Sequence, residues 1–520
     1  MKFLSDGYNK IEGNNMKSGE SYARLEKIFD RINNLEEAEL YLKWDRSAMM
    51  PPGGARRRTE HISEIRLVIA EMLSQPEVEE WLDEVEAEKS SFDEWQQANI
   101  REMRRLWLHT SSIPADLARE FSSVCSKTES LWYNAKKSGN FNDVMPTFGR
   151  LVDVIKEMAT IKSEKFNLTK YEVLYDIFEP NGSEENLDHI FGDLEVFLPE
   201  FIEKVKVYQN QKNNGMKPQK PRGFFSETSQ KNLGMRLMEA VGFDFNHGRV
   251  DPVMHPFCGG APEDLRITTR YDTGDFTKNL TAVMHEVGHA IYKSDLPEKW
   301  RTQPVGKARG QGIHESQSLM LERFIVYSKE FMDFAKPLFK EYLNADNSPE
   351  WSTENLCRCY RWVEPSYIRI EADEVTYPLH IILRYKLEKA LIYDQITTKD
   401  VPEFFNTNMK KLLGITPRND KEGCLQDIHW YAGDFGYFPT YSLGAINTAQ
   451  LFKAILKDYP DIMERIKKGD FLTLMSWLRD KVHRRASLLL KNDLIQEVTG
   501  ENLNINHYKE YLTQRYLGDA

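Results

Sequence analysis

Residues 280–292 read L-T-A-V-M-H-E-V-G-H-A-I-Y. The segment has the three-and-four spacing of apolar residues that is typical of a helix with one buried stripe. Those apolar residues are Leu280, Val283, Met284, Val287 and Ile291. Four residues turn a helix by about 400°, so His285 and His289 lie one turn apart on a single face. The segment therefore predicts a largely buried helix that presents two imidazoles together.

The two histidines belong to the pattern His-Glu-x-x-His, with Glu286 directly after the first histidine. In this arrangement the imidazoles bind Zn²⁺ and the glutamate acts as a general base on a metal-bound water. Zinc lowers the pKa of that water to about 7, which provides a hydroxide-like nucleophile at neutral pH. The pattern therefore predicts that His285 and His289 are metal ligands and that Glu286 is the base of a zinc-dependent hydrolase.

A third metal ligand must come from outside this helix. Position 295, where one class of zinc peptidases has its third histidine, is an aspartate here, so that class is excluded. Glu298 follows Pro297 in a segment without helical periodicity and is a poor candidate. Glu315 lies in G-I-H-E-S-Q at the start of a predicted helix. A carboxylate from a second helix completes the His₂Glu set of catalytic zinc sites, so the spacing favours Glu315.

Two neighbours of Glu315 leave alternatives open. His314 competes with it as the third ligand, because imidazole also binds Zn²⁺. Glu322 lies two turns after Glu315 on nearly the same helical face. It is therefore a candidate to orient a ligand histidine by accepting a hydrogen bond from it.

Gly288 interrupts an otherwise strong helix between the two histidines. A glycine inside a helix costs about 1 kcal/mol relative to alanine, so it usually has a packing or functional reason. We expect the backbone of another segment to approach the helix at this position.

The composition is that of a large folded protein with a well-solvated surface. The chain has 520 residues, of which 41% are hydrophobic, 29% charged and 12% aromatic. Its net charge of −11 argues against nucleic acid and anionic membranes as partners, because both require a basic surface. No stretch reaches the roughly 18 uninterrupted apolar residues that a membrane span requires.

The cysteines and the first residues indicate a cytoplasmic protein. The five cysteines are scattered and odd in number, which fits a reducing compartment better than a disulfide framework. Residues 1–20 are polar and lack the apolar core of a secretory signal, so we expect a loose N-terminal extension. We assign residues 21–520 to one helical domain, with an N-terminal part of about 21–222 and a site-bearing part of about 223–520.

Helical periodicity dominates the rest of the chain. The clearest predicted helices are residues 22–44, 59–73, 78–106, 114–138, 142–164, 187–209, 375–393, 401–413, 448–457 and 471–490. One strand region stands out at residues 249–271, and within it apolar and polar residues alternate over 265–271, directly before the helix with the two histidines. A strand edge beside a metal can align an extended peptide by backbone hydrogen bonds.

A set of short signatures occurs in order along the chain. They are M-P-P-G-G at 50–54, H-P-F at 255–257, D-L-R-I-T at 264–268, H-E-V-G-H at 285–289, H-E-S-Q at 314–317, I-R-I-E-A-D at 368–373 and G-C-L-Q-D-I-H-W at 423–430. Together these residues resemble the carboxypeptidase Taq family of zinc metallocarboxypeptidases, and the resemblance covers most of the chain.

The resemblance implies a mostly α fold, in which a large helical half-shell surrounds a deep central groove. A small β element lies beside the metal-binding helix, as in neurolysin-like zincins. The resemblance also implies Glu315 as the third ligand, Zn²⁺ or another divalent ion such as Co²⁺ as the cofactor, peptides with a free C-terminus as substrates, and a homodimer. His255 is expected to line the groove and contact substrate. Leu319 and Arg323 depart from the family, whose members commonly carry Arg and Asn at these positions.

The resemblance suggests roles for residues beyond the metal ligands. Arg369 is the expected anchor for the substrate's terminal carboxylate, because a planar guanidinium binds a carboxylate through two hydrogen bonds. Arg266, in the predicted strand, is the alternative anchor. His429 and Tyr441 are expected to stabilise the oxyanion of the reaction, with Tyr437 as a competitor for Tyr441.

Three functions compete for these observations. A carboxypeptidase removes C-terminal residues one at a time, whereas an oligopeptidase on the same fold cuts inside short peptides. A helical binding protein with a structural metal is the third possibility. Glu286 argues against it, because a structural zinc site closes its fourth position and needs no base beside the metal. We therefore favour the carboxypeptidase.

Overall fold

Helices make up nearly all of the regular structure, as the apolar periodicity predicts. The computed structural model describes residues 2–212, 215–253 and 256–518, and side chains from residue 17 onward. The helices before the sheet are α1 (Lys2–Ala48), α2 (Ala55–Leu73), α3 (Pro76–Ala87), α4 (Glu94–Ser111), α5 (Ala115–Ser138), α6 (Met145–Phe166), α7 (Lys170–Tyr175), α8 (Glu184–Lys212) and α9 (Glu227–Ala240). Those after it are α10 (Phe276–Ser294), α11 (Gly310–Leu319), α12 (Lys329–Leu343), α13 (Thr353–Arg361), α14 (Tyr377–Ile392), α15 (Val401–Leu413), α16 (His429–Ala432), α17 (Pro439–Asp458), α18 (Ile462–Lys467), α19 (Leu472–Lys481), α20 (Lys491–Thr499) and α21 (Asn506–Leu517).

The first helix is longer than predicted. We expected a loose segment over residues 1–20, whereas α1 already begins at Lys2. Lys17 forms an ion pair with Glu84 of α3 at 2.6 Å. Ser21 donates a hydrogen bond to the same carboxylate, also at 2.6 Å. These contacts explain why the helix does not start at residue 22, since α3 holds the preceding turn in place.

The predicted helix over residues 78–106 is in fact two helices. α3 ends at Ala87 and α4 begins after Asp93, whose side chain accepts a hydrogen bond from the backbone N–H of Gln96. The Gln96 side chain in turn accepts one from the backbone N–H of Asp93. This capping box satisfies N–H groups that a helix start leaves unpaired, so it fixes a break that apolar periodicity does not show.

The predicted helix over residues 471–490 also ends early. α19 stops at Lys481, and a short 3₁₀ turn follows at His483–Arg485. Ala486 then has a φ of 44°, a backbone conformation that an α-helix cannot contain. The chain therefore turns here and starts α20 in a new direction.

The buried apolar side chains form one large core and smaller separate clusters. The large core includes residues from Cys125 to Tyr516. A separate cluster that includes Tyr22, Phe29 and Met103 joins the first four helices. The predicted division near residue 222 stays a prediction. Within the described residues, no helix combines the length and apolarity needed to cross a membrane.

A small three-stranded sheet precedes α10. Its strands are β1 (Gly248–Pro252), β2 (Cys258–Ala261) and β3 (Asp264–Thr269), in the order β1-β3-β2. β1 runs parallel to β3 and β2 runs antiparallel to it. β3 also packs against α10, so the predicted strand and its place beside the histidine-bearing helix are confirmed.

Helices α10, α11 and α17 pack closely around the predicted site. A Cβ added to Gly288 would lie 2.5 Å from the backbone oxygen of Gln317, so only glycine permits this approach of α10 to α11. The expected close backbone contact is therefore confirmed. On the other side, a Cβ added to Gly444 of α17 would lie 2.5 Å from Cγ of Glu315. The two glycines thus bring three helices together at Glu315.

The helix after Gly310 changes its winding partway along. α11 ends at Leu319, and residues Met320–Val326 continue as a π-helix. A π-helix is wider than an α-helix and is frequent at functional sites. The sequence predicted one continuous helix here, because apolar periodicity does not distinguish the two windings over so few residues.

Candidate metal centre and active site

His285, His289 and Glu315 bring three ligand atoms of the type that binds metals into one cluster. Nε2 of His289 lies 3.2 Å from Nε2 of His285 and 3.5 Å from Oε2 of Glu315. The remaining distance, between His285 Nε2 and Glu315 Oε2, is 3.9 Å. In a tetrahedral zinc site with bonds of about 2.1 Å, two ligand atoms lie about 3.4 Å apart. Among the described residues this is the one cluster of three such side chains, and its spacing fits a divalent ion.

Helix geometry and close packing position these three side chains. His285 and His289 lie one turn apart on α10, and Glu315 comes from α11, which contacts α10 at Gly288. Gly444 of α17 packs against the stem of Glu315. The stem of Glu315 is therefore packed against α17 rather than extended from a free helix face.

Glu322 orients the first histidine. Its Oε2 lies 2.7 Å from Nδ1 of His285, so the imidazole donates its N–H to the carboxylate. The opposite ring nitrogen, Nε2, then faces the cluster, and a metal that displaces its proton would bind there, which is the arrangement a ligand histidine needs. The structure thus places Glu322 where the sequence suggested an orienting partner.

His314 lies behind His289 rather than in the cluster. Its Nδ1 is 2.6 Å from Nδ1 of His289. Burial, together with the positive potential of His289, lowers the pKa of His314 well below its usual value, so the ring is neutral. A neutral His314 accepts the N–H of His289, which leaves Nε2 of His289 facing the other two ligand atoms. His314 therefore acts as an orienting partner in this geometry and does not compete with Glu315 for the third position.

The cluster has an electrostatic environment that favours a cation. Burial by itself disfavours the charged imidazolium of His285, but Glu315 and Glu322 outweigh it and raise the pKa of His285 to about 10. Burial likewise disfavours a charged Glu315, yet His285 and His289 lower its pKa to about 2. The carboxylates therefore remain ionised and stabilise positive charge at the position where the three ligand atoms converge.

Glu286 directly follows His285 on α10, so helix geometry rotates its side chain by about 100° from that ligand position. It is buried, with 7% of its surface exposed. Burial raises the pKa of Glu286, an effect that His285 and His289 partly oppose. A carboxylate with a raised pKa beside a cationic centre has the properties of a general base.

The rings of His429, Tyr437 and Tyr441 lie together next to the cluster, and we call them the aromatic group. They include the predicted oxyanion donors. The hydroxyl of Tyr441 is 3.4 Å from Nε2 of His429, and the rings of Tyr437 and Tyr441 contact each other with centroids 5.3 Å apart. Burial lowers the pKa of His429 to about 4, so its ring is neutral at pH 7. Both tyrosines therefore remain candidates to donate a hydrogen bond beside His429.

Arg369 is buried in a network of charged groups. Its Nε and Nη2 donate to Oδ1 of Asp427 at 3.0 and 2.8 Å, and its Nη1 donates to the hydroxyl of Tyr377 at 2.5 Å. The second oxygen of Asp427 accepts a hydrogen bond from Nε of Arg384 at 2.7 Å. Two arginines thus share one carboxylate, and the trio keeps a surplus of positive charge although Arg369 is only 4% exposed.

Arg266 is not found with these residues. Arg266 donates to Asp264 at 2.6 Å and stacks over the ring of Trp44, with its Cζ 4.6 Å from the ring centroid. Its partners therefore belong to β3 and α1, which makes it a poor anchor for a substrate at the cluster. His255 lies outside the described residues.

Sequence reasoning missed Tyr377 and Arg384. Tyr377 joins Arg369 to the aromatic group, since its ring lies edge-on to Tyr441 with centroids 6.1 Å apart. Both missed residues are on α14, whose residues are buried almost all round, so its sequence shows no polar face that would single them out. Arg384 joins the site through Asp427, which is distant in sequence, and Tyr377 joins it through Arg369.

Comparison with protein families gives a match over nearly the whole chain. The family described as carboxypeptidase Taq (M32) metallopeptidase matches residues 24–516. Carboxypeptidase 1 of Bacillus subtilis is 32% identical over 492 residues, which cover 94% of this chain and 96% of that protein. Thermostable carboxypeptidase 1 of Pyrococcus furiosus is 32% identical over 493 residues, covering 94% of this chain and 97% of that protein.

Solved structures agree with this match. Metallocarboxypeptidase 1 of Trypanosoma cruzi superposes with a TM-score of 0.92 at 36% identity, covering 96% of this chain and 99% of that chain. This confirms the predicted mostly helical fold. The similar proteins are carboxypeptidases, and the family is one of metal-dependent peptidases. The chain therefore belongs to the carboxypeptidase Taq (M32) family of metallopeptidases.

Proposed function

We propose that this metallocarboxypeptidase uses zinc to release C-terminal amino acids from peptides, with Glu286 as the general base. The observation that supports it most strongly is the ligand cluster, in which two oriented imidazoles and one carboxylate converge at 3.2 to 3.9 Å. A zinc ion held by His285, His289 and Glu315 would supply Lewis-acid activation of a water molecule. Co²⁺ is an alternative ion for the same ligands.

The chain's own residues carry the proton transfer and stabilise charge. Glu286 takes a proton from the attacking water and delivers it to the leaving amine, so one carboxylate serves both halves of the reaction. His429 and Tyr441 donate hydrogen bonds to the oxyanion that develops on the scissile carbonyl. The low pKa of His429 supports this role, because a neutral imidazole keeps one donor and one acceptor at pH 7.

The trio of Arg369, Asp427 and Arg384 is proposed to attract the substrate's terminal carboxylate. Asp427 neutralises only one of the two guanidinium groups, so the trio retains one net positive charge. Arg369 also lies under the ring of Tyr441, with its Cζ 5.0 Å from the centroid, which places this charge beside the proposed oxyanion donors. A carboxylate bound here would leave the adjoining peptide bond near the aromatic group.

A peptide ladder tests the proposed function against internal cleavage. We expect mass spectrometry of a digest of a ten-residue peptide to show stepwise loss from the C-terminus. Fragments that begin inside the peptide would instead support an oligopeptidase. The Glu286→Gln protein, digested in parallel at equal metal content, controls for contaminating peptidases and should leave the peptide intact.

We further propose, from the family resemblance, that the enzyme is a cytoplasmic homodimer. Light scattering coupled to size-exclusion chromatography measures the mass directly. A mass near twice that of the 60.7 kDa chain is expected, and a single-chain mass at micromolar concentration contradicts the dimer.

A further inference from the structure

Arg323 is a buried guanidinium that the site described above does not use. It lies on the π-helix directly after Glu322, and its side chain is 11% exposed. Its Nε is buried without a hydrogen-bond partner. Its nearest described carboxylate is Glu322, with Nε 3.6 Å from Oε1, which is too long for a hydrogen bond. A buried polar group without a partner is costly, so its retention calls for an explanation.

The position of Arg323 links it to the active site. Its Cζ lies 5.2 Å from the ring centroid of Tyr377, and the Cζ of Arg369 lies 5.6 Å from the same centroid. One aromatic ring thus has two guanidinium groups beside it. Arg369 is held by Asp427 and by the Tyr377 hydroxyl, whereas Nε of Arg323 is buried without a hydrogen-bond partner among the described residues.

The acidic side chains that interact with Arg323 leave its Nε without a hydrogen bond. Glu322 lies beside Arg323, and Glu315 also interacts electrostatically with it. Glu322 already accepts a hydrogen bond from His285 through its Oε2, so it cannot give Arg323 a bidentate partner without releasing the histidine. A carboxylate brought by a ligand can satisfy the free donors, and without Arg323 the same carboxylate would be repelled.

We propose that Arg323 is a specificity-determining residue that binds the side-chain carboxylate of a C-terminal Asp or Glu. This proposal rests on the proposed function, in which the terminal carboxylate is bound at the Arg369 trio. A C-terminal Asp or Glu carries two carboxylates on a short stem, and the two guanidinium groups beside Tyr377 supply one partner for each. The substrate class is therefore peptides that end in an acidic residue.

Matched peptides that end in Glu or Gln test the proposal, because they differ in one charge at nearly constant shape. A charge-assisted hydrogen bond corresponds to roughly a 10–150-fold effect, so we expect the wild-type enzyme to prefer the Glu peptide in kcat/KM by about this factor. Arg323→Gln should reduce the ratio to one or below, because Glu322 and Glu315 then repel the substrate. Its rate on the Gln peptide should change little.

Two controls protect the interpretation. Arg301→Gln removes a partly buried arginine that pairs with Glu263 away from the site, and it should leave the Glu:Gln ratio at the wild-type value. Thermal unfolding and metal content establish that Arg323→Gln folds and loads normally. Calorimetry with free L-glutamate and L-glutamine gives a readout that does not depend on turnover, and only the wild-type protein should bind glutamate more tightly.

Several outcomes overturn the proposal. It fails if the wild-type enzyme shows no preference for the Glu peptide, or if Arg323→Gln keeps the preference. It also fails if Arg323→Gln loses discrimination between a free C-terminus and an amidated one, because Arg323 would then bind the terminal carboxylate. If the wild-type enzyme releases neither the C-terminal Glu nor the C-terminal Gln, that result contradicts the proposed carboxypeptidase function. The calorimetric comparison of glutamate with glutamine still decides the role of Arg323 in that case.

Discussion

Glu286 and its two histidine neighbours share one helix but point in different directions. Each step along an α-helix rotates the side chain by about 100°, so Glu286 reaches beside the metal position rather than into it. We expect Glu286→Gln to bind metal and fold normally, because the amide keeps the shape of the side chain. Loss of a general base lowers turnover by about 10²–10⁴-fold. Metal analysis and kcat on one preparation provide the measurement, and near-normal kcat in a metal-replete variant would rule out Glu286 as the base.

The two carboxylates near the histidines are expected to differ in their effect on metal affinity. Glu315→Ala removes a proposed ligand and should abolish retention of zinc during dialysis against a mild chelator. Glu322→Gln removes only the acceptor for His285 and should weaken affinity by about 10–100-fold. Glu298→Gln is the matched control, because Glu298 is exposed and was a poor candidate from its sequence context. Equal metal affinity in the Glu315 and control variants would remove Glu315 from the site.

At the scale of elements, Gly288 is where two helix backbones meet. A Cβ there would lie 2.5 Å from the oxygen of Gln317 and 2.7 Å from Cα of Ser318, and backbone atoms cannot move aside as a flexible side chain can. We expect Gly288→Ala to lower the free energy of unfolding by about 1–3 kcal/mol through overpacking. It should also weaken metal binding, since α11 carries Glu315.

Gly192 provides the control for this prediction. It also lies inside a helix, α8, but an added Cβ would have no atom within 4 Å. Gly192→Ala should therefore stabilise the protein by roughly 0.5–1 kcal/mol through helix propensity alone. Urea unfolding of both variants measures the difference. If Gly288→Ala is as stable as Gly192→Ala, the close helix contact is not what requires the glycine.

Elements were predictable from sequence where local geometry decides them. The spacing of His285 and His289 follows from helix pitch, and the glycine between them indicated a close neighbour that α11 indeed provides. The split between α3 and α4 depends on two side-chain hydrogen bonds at Asp93, which a periodicity argument does not weigh. The π-helix after α11 was also missed, because the change in winding does not change the apolar pattern.

At the scale of the whole molecule, long-range pairing limits what sequence can predict. The family signatures placed Arg369 near the substrate, but its bonds to Asp427 join residues that are 58 positions apart. Arg384 enters the site through the carboxylate of Asp427, and Tyr377 enters it through the guanidinium of Arg369. Because Arg369 is already paired with Asp427, it attracts a substrate carboxylate only through the net positive charge of the trio of Arg369, Asp427 and Arg384. No single sequence motif shows that charge.

The mostly helical fold was predicted because its helices repeat one pattern over most of the chain. The position of the first helix was less predictable, since the turn from Lys17 to Ser21 is held by Glu84 of a different helix. Arg266 is the alternative anchor because of its place in a strand, and the structure stacks it over Trp44 of α1. In both cases a contact with α1 changes what the local sequence suggests.

Recognition of a free C-terminus is the central claim, and a peptide and its C-terminally amidated twin test it most directly. The two differ in one charge, and a charge-assisted hydrogen bond contributes about 1.5–3 kcal/mol. At about 1.4 kcal/mol per factor of ten, we predict that kcat/KM of the wild-type enzyme is roughly 10–150-fold higher for the free acid. Equal kcat/KM for the two peptides would contradict a carboxypeptidase and support internal cleavage on the same fold.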